Sequence, residues 1–157
     1  MDNPTVLLNR NNRRLRMALE LMVQASIEAQ DRMLNEHLRD INLSVLREFC
    51  TVRVCGPRQC GHTTSMVEVA YQYFENPVFV VPNISIADNI ERLAKSSRVV
   101  SVATMDRSLR GTDFDSVFVD VATLVSKTKE EQLYDLAIPL AERRFAEHKP
   151  FCVVMME

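Results

Sequence analysis

The stretch from residue 51 to residue 70 constrains the fold more than any other part of this sequence. It begins with the β-branched run TVRV, continues through a loop that has a glycine near each end, CGPRQCGHTT, and ends in the apolar-periodic SMVEVA. This order predicts a buried strand, a tight loop and the first turns of a helix. Because backbone N–H groups converge at such a helix N-terminus, the loop can bind an anion such as phosphate.

The loop has the spacing of a phosphate-binding loop, Gly56-x-x-x-x-Gly61-x-Thr63. Gly56 and Gly61 let the backbone approach phosphate oxygens closely, because neither has a Cβ atom. Thr63 offers a hydroxyl group to Mg²⁺. The predicted phosphate-binding residues are Gly56, Arg58, Gln59, Cys60, Gly61, His62, Thr63 and Thr64. The alternative interpretation is a tight turn between strand and helix that binds no ligand.

His62 stands where this spacing normally has a lysine. A lysine carries a permanent positive charge on a flexible stem, whereas an imidazole is shorter and mostly neutral at pH 7. A neighbouring triphosphate would favour the protonated imidazole, and Arg58 is another source of positive charge. We therefore expect weaker triphosphate binding and weaker transition-state stabilisation than a lysine would provide.

A second motif, DFDSVFVDVA, predicts a buried strand that ends at Asp120. The carboxyl ends of parallel strands face the ligand crevice, so Asp120 is predicted to hold Mg²⁺ through water, opposite Thr63. The alternative is a strand that ends in a turn aspartate. Val121 occupies the position where a hydrolysing enzyme would carry a glutamate. Asp106 and Glu157 are candidates for that carboxylate, but the pattern does not place them, so the catalytic residues stay unknown.

After residue 51, short apolar runs alternate with helical stretches. The runs predict strands at Val52–Cys55, Val78–Val81, Arg98–Ala103, Ser116–Val121 and Phe151–Met155. Helices are predicted at Thr63–Phe74, over residues 85–95 and at Lys129–Glu147, with Pro139 bending or breaking the last of them. This alternation is typical of a parallel sheet covered on both faces. The prediction is an α/β fold with a three-layer, five-stranded parallel sheet over residues 51–157.

Residues 1–50 are predicted to form an N-terminal helical extension of that core. Apolar residues recur at threes and fours, which predicts a long helix from about Asn11 to Leu38; the recurring residues are Leu8, Leu15, Leu19, Met22, Ala25, Ala29 and Met33. A shorter helix is predicted at Leu43–Phe49, with Asn42 as its cap. The apolar stripe of the long helix can pack on the sheet's own helices or pair with a second copy, and the pattern leaves both open.

Four arginines cluster near the start of the chain: Arg10, Arg13, Arg14 and Arg16. They are interpreted either as a solvated helix face or as a contact surface for nucleic acid or an acidic protein partner. The net charge of −2 does not by itself indicate a nucleic-acid or membrane partner.

The cysteines Cys50, Cys55, Cys60 and Cys152 show no metal-binding or redox spacing and fit a reducing compartment. The start of the chain is polar, and no apolar run approaches the length of a membrane span. We therefore expect a cytoplasmic protein without a membrane partner, in the host cytoplasm if the source is viral.

Residues 51–157 resemble the RecA-like nucleotide-binding core of P-loop ATPases, in particular its helicase and phage terminase branch. The matching segments are RQCGHTT, FVVPN and RGTDFDSVFVDVA. The resemblance implies the strand order 5-1-4-3-2, ATP with Mg²⁺ as cofactors, and binding roles for the loop residues and Asp120. His62 and Val121 depart from the family pattern at the positions that matter most for hydrolysis.

These sequence features are compatible with two alternative functions. The first is a compact P-loop nucleotide-binding protein with weak or partner-dependent ATPase activity, accessory to a viral or mobile-element nucleic-acid process. The second is a degenerate P-loop domain without nucleotide activity, which acts as a protein-binding or nucleic-acid-binding module through its N-terminal helix, or forms a homodimer through it. Stabilisation by ATP and Mg²⁺ is expected only for the first, and steeply salt-dependent binding is expected if the arginines contact nucleic acid.

Overall fold

The computed structural model describes residues 4–36, 40–55, 62–82, 98–120 and 125–157. The helices are α1 (Pro4–Asn35), α2 (Leu43–Val45, continued by a π-helical turn at Leu46–Cys50), α3 (His62–Tyr73), α4 (Met105–Leu109, after a 3₁₀ turn at Val102–Thr104) and α5 (Lys127–Ala146). The strands are β1 (Thr51–Val54), β2 (Pro77–Val81), β3 (Arg98–Ser101), β4 (Ser116–Val119) and β5 (Cys152–Met156). The predicted helix over residues 85–95 lies outside the described residues.

The five strands form one sheet in which every neighbouring pair is parallel, in the order β1-β5-β4-β2-β3. Every residue of β2, β4 and β5 is buried, which explains why these strands are continuously apolar rather than alternating. The predicted α/β fold with a five-stranded parallel sheet is confirmed.

The predicted strand order 5-1-4-3-2 is wrong. β1 lies at one edge of the described sheet, and β5 separates it from β4. β3 pairs with β2 at the opposite edge, whereas the predicted order places the third strand inside the sheet. Without β3, the other four strands numbered along the chain read 1-4-3-2, which is the rest of the predicted order. Local apolar patterning cannot distinguish such an added edge strand from a core strand.

Two apolar cores lie on the two faces of the sheet, and together they make the predicted three layers. One core joins the sheet to α1 and α3 and includes Phe79 and Phe118. The other joins it to the π-helical turn, α4 and α5 and includes Val80 and Val119. Neighbouring residues of one strand therefore point into different cores, as the two-residue period of a strand requires.

The long helix α1 packs on its own chain, where it lies against α3 and β1. It begins at Pro4, earlier than the predicted Asn11, and its described part ends at Asn35. Leu15 and Leu19 are buried as the stripe predicted. In the second half the stripe is confirmed at Met33 but wrong at Met22 and Ala25, which are exposed, while Val23, Ser26 and Gln30 are buried instead. The division of the chain after residue 50 stays a prediction.

Hydrogen bonds explain why polar residues are buried in that half of α1. The Gln30 amide donates to the carbonyl of Phe151 at 2.8 Å and accepts from the N–H of Phe151 at 3.0 Å. The Ser26 hydroxyl donates to the carbonyl of Phe49 at 2.6 Å. Gln30 therefore acts on the backbone at the start of β5 much as a neighbouring strand would, which ties α1 to the sheet.

Two local predictions concern helix termini and breaks. The cap at Asn42 is confirmed, since its side chain accepts a hydrogen bond from the Val45 N–H at 3.0 Å. The alternative of a break at Pro139 is wrong, because α5 runs through that residue to Ala146. The N–H that proline lacks would have bonded the carbonyl of Asp135, an exposed residue where water can take its place.

We predict that Gln30→Met lowers the free energy of unfolding by about 2 kcal/mol or more, because two buried backbone groups of Phe151 lose their partner. Urea denaturation followed by circular dichroism measures the change. Gln24→Met is the matched control, since Gln24 lies on the same helix and makes an exposed hydrogen bond to Tyr73. Its effect should stay within about 0.5 kcal/mol. Equal effects of the two substitutions would contradict a structural role for Gln30.

Candidate phosphate and magnesium site

Thr63 and Asp120 meet at the carboxyl edge of the sheet. Asp120 directly follows β4, and its N–H donates to the carbonyl of Val80 at 2.9 Å, which continues the ladder with β2 by one residue. Thr63 lies in the first turn of α3, and its hydroxyl donates to the Asp120 carboxylate at 3.3 Å. Two residues that are far apart in the sequence therefore come into contact where the predicted ligand crevice opens.

The two groups have the chemistry of magnesium ligands. A threonine hydroxyl and a carboxylate are hard oxygen donors, and Mg²⁺ is usually held by one or two such groups while it keeps several water molecules. Asp120 is 4% exposed and Thr63 is half-buried, so both are fixed by the surrounding fold. Across the described ranges no group of three or more histidine, cysteine or acidic residues forms a metal site, so any ion here would take its remaining ligands from water or phosphate.

The structure describes only some of the other residues that are predicted to bind phosphate. Gly56, Arg58, Gln59, Cys60 and Gly61 lie outside the described residues, as does Val121. His62 is the first residue of α3, but its side chain is outside the described part of the structure. Thr64 follows Thr63 and is exposed. The binding roles of all these residues stay predictions.

Two of the four clustered arginines lie beside α3. Arg16 forms an ion pair with Glu68 at 2.8 Å, and Arg13 and Arg16 line a cavity of about 140 Å³ together with Thr64, Ser65 and Glu68. Arg14 is exposed, and the side chain of Arg10 is outside the described part. The sequence analysis missed the proximity of these arginines to the predicted phosphate loop, because periodicity shows which face of a helix is buried but not which helix lies next to it.

The two carboxylates considered for water activation form ion pairs. Glu157 binds Arg53 at 2.7 Å on the edge strand, and Arg53 also binds Glu130 at 2.5 Å. Asp106 binds Arg110 at 2.8 Å within one turn of helix. Glu157 follows β5, the strand next to β4, but both carboxylates are engaged by arginine side chains. The catalytic residues therefore stay unknown.

The described cysteines are free thiols that differ in exposure. Cys55 is exposed and follows β1 directly, whereas Cys50 and Cys152 are buried. Burial raises the pKa of the Cys152 thiol to about 11, and burial also raises the pKa of Cys50 well above its usual value. Because the thiolate is the nucleophile, neither buried cysteine is suited to catalysis at neutral pH.

In the described ranges, no helix combines the length and the apolar character that a membrane crossing requires.

Neither the family models nor the curated proteins contain a match to this chain. Among solved structures, the chain is similar to the ATPase domain of the large terminase of Thermus phage P74-26, with 14% identity and a TM-score of 0.38. The alignment covers 79% of this chain and 66% of that domain. A likeness at this level assigns neither a function nor a site residue to the chain.

We predict that iodoacetamide labels Cys55 of the native protein at pH 8 and leaves Cys50 and Cys152 unlabelled. With a pKa of about 11, only about a thousandth of Cys152 is thiolate at that pH. Mass spectrometry of a Cys60→Ser variant measures the labelling, so that each modified residue is one of the three described thiols. The same variant unfolded in urea is the control and should react at all three. Labelling of Cys152 as fast as that of Cys55 in the native protein would contradict its burial.

Proposed function

We propose that the protein binds a nucleoside triphosphate, most simply ATP, together with Mg²⁺ at the carboxyl edge of its sheet. The observation that supports this proposal is the hydrogen bond between Thr63 and Asp120. Thr63 is predicted from its place in the loop spacing and Asp120 from its place after an apolar strand, and the two are expected to lie opposite each other at a metal ion.

Each residue has a distinct role in this proposal. The Thr63 hydroxyl at the start of α3 would offer an oxygen ligand to Mg²⁺, and the buried Asp120 carboxylate would hold a water ligand of the ion. The N–H groups at the start of α3 and the loop before it bind phosphate oxygens. Mg²⁺, when bound, neutralises part of the phosphate charge.

We propose that hydrolysis by this site is weak or depends on a partner. Val121 follows Asp120 where an activating carboxylate would be expected, and both Glu157 and Asp106 are engaged in ion pairs with arginines. A partner protein or nucleic acid could complete the site by supplying a catalytic group. By the resemblance of residues 51–157 to the terminase and helicase branch, we place the protein in a viral or mobile-element nucleic-acid process in the cytoplasm.

We predict that ATP with Mg²⁺, at about a hundred times its Kd, stabilises the protein by about 2.7 kcal/mol, because the nucleotide binds only the folded chain. Thermal unfolding should show this as a rise in Tm of several degrees. Thr63→Val and Asp120→Asn should each remove most of the rise, since the first removes a hydroxyl ligand and the second removes the negative charge that favours the metal ion.

Matched controls lie on α5, which packs on the face of the sheet opposite to α3. Thr128→Val and Asp135→Asn make the same chemical changes at exposed positions and should leave the nucleotide-dependent rise unchanged. If the unsubstituted protein shows no rise with ATP, GTP or ADP in the presence of Mg²⁺, the proposed nucleotide site is wrong.

We also propose that α1 can pair with α1 of a second copy. Its outward face carries two large apolar side chains, Met17 and Leu21, which are 60% and 63% exposed. In an antiparallel pair centred on Leu21, positions equally far from Leu21 lie opposite each other. Arg14 then faces Glu28 of the other copy twice, and both side chains are exposed. The charges at the ends of the apolar stripe are therefore self-complementary, as a two-fold interface requires.

This pairing is expected to be weak. One helix pair buries less surface than the roughly 1,200 Å² of a stable interface. By the same two-fold rule, Arg10 would lie opposite Arg32, and this like-charged pair opposes association.

We predict that sedimentation velocity shows a dimer that forms only at high protein concentration. Arg14→Glu and Glu28→Arg should each weaken it, because each places like charges opposite each other, and the two substitutions together should restore it. Glu131→Arg, an exposed reversal on α5, is the control and should have no effect. A monomer at every concentration, or a double variant no better than the single ones, would refute this pairing.

A further inference from the structure

We propose that Arg13 binds a phosphate group of the nucleotide and thereby adds positive charge to a site in which His62 stands where the loop spacing normally has a lysine. This inference rests on the nucleotide site proposed above. The site consists of the cavity between α1 and α3, which is lined by Arg13, Arg16, Thr64, Ser65 and Glu68.

The register of α1 against α3 brings Arg13 to this place. Arg16 pairs with Glu68 at 2.8 Å, and further along both helices Gln24 donates to Tyr73 at 2.6 Å. Residue numbers rise together in the two helices, so α1 and α3 run in the same direction. Arg13, nearly one turn before Arg16, therefore lies beside the first turn of α3 and not beside its middle. α1 also begins at Pro4, and its first turns extend beyond the start of α3.

The charges in the cavity favour an anion. Arg16 is neutralised by Glu68, whereas Arg13 forms no ion pair with any residue of the described ranges. The cavity therefore keeps one net positive charge, next to the exposed hydroxyl group of Thr64. An arginine fork and a hydroxyl donor are well matched to phosphate oxygens, and about 140 Å³ accommodates one phosphate group with a few water molecules.

The cavity is close to the proposed magnesium pair but separate from it. Thr63 points towards Asp120 on the sheet, and Thr64, about 100° further around the helix, lines the cavity on the side of α1. In this proposal the phosphate chain lies across the first turn of α3, between the Thr63–Asp120 pair and Arg13. Arg13 would then act as a binding residue for ATP and ADP alike.

The test compares dissociation constants for ATP and ADP with Mg²⁺, measured by titration calorimetry on the full chain. Arg13→Ala is expected to weaken binding of both nucleotides by about tenfold or more, the loss typical of a hydrogen bond to a charged group. Arg13→Lys should recover part of the affinity, since it restores the charge without the planar fork.

Arg14→Ala is the matched control, because Arg14 is the next residue of the same helix and is exposed. It removes the same charge from the same region and should change the dissociation constants by less than about twofold, since a screened field without contact contributes little. Equal losses for Arg13→Ala and Arg14→Ala would overturn the proposal, as would unchanged binding in Arg13→Ala.

Two further outcomes are also decisive. If the unsubstituted protein binds no nucleotide, the nucleotide site itself fails and this inference fails with it. If Arg13→Ala keeps nucleotide affinity but loses binding to a single-stranded or duplex oligonucleotide, Arg13 contacts nucleic acid instead and the proposal is overturned. Chemical denaturation of each variant provides the folding control, and little change is expected because Arg13 is exposed.

Discussion

Burial of the parallel sheet on both faces is the constraint on which the rest of the structure depends. β4 and β5 expose no residue to solvent, so helices must cover both faces before these strands can pair without leaving apolar surface in water. α3 and α1 cover one face, and the π-helical turn, α4 and α5 cover the other. The N-terminal helix is therefore part of the layer that makes the sheet possible.

The attachment of α1 is polar as well as apolar, and this polarity sets its orientation. Gln30 and Ser26 bind backbone groups at Phe151 and Phe49, at the end of the sheet where β1 and β5 begin. With that end of α1 held, and with Leu15 and Leu19 packed on the core, the start of the helix extends towards the opposite edge, where Thr63 meets Asp120. The same helix thus serves the fold at one end and lies close to the candidate site at the other.

The candidate site has some of the groups that nucleotide hydrolysis requires and lacks others. Thr63 and Asp120 provide oxygen atoms that suit a metal ion, whereas His62 and Val121 provide neither the permanent positive charge of a lysine nor a carboxylate. This combination favours binding over turnover, since binding needs oxygen donors and positive charge, while hydrolysis also needs an activated water molecule. In the proposal above, Arg13 adds positive charge for nucleotide binding but offers no general base for hydrolysis.

Local patterns in the sequence determined most elements of this protein. The strand–loop–helix unit, the all-parallel α/β class, the cap at Asn42 and the selection of Thr63 and Asp120 all rest on signals within a few neighbouring residues. Three features depended on contacts between distant segments: the edge position of β3, the burial of Gln30 in place of Ala29, and the cavity between Arg13 and Thr64. Periodicity predicts that one face of an element is buried. Only tertiary packing decides which backbone groups, strands or helices that face contacts.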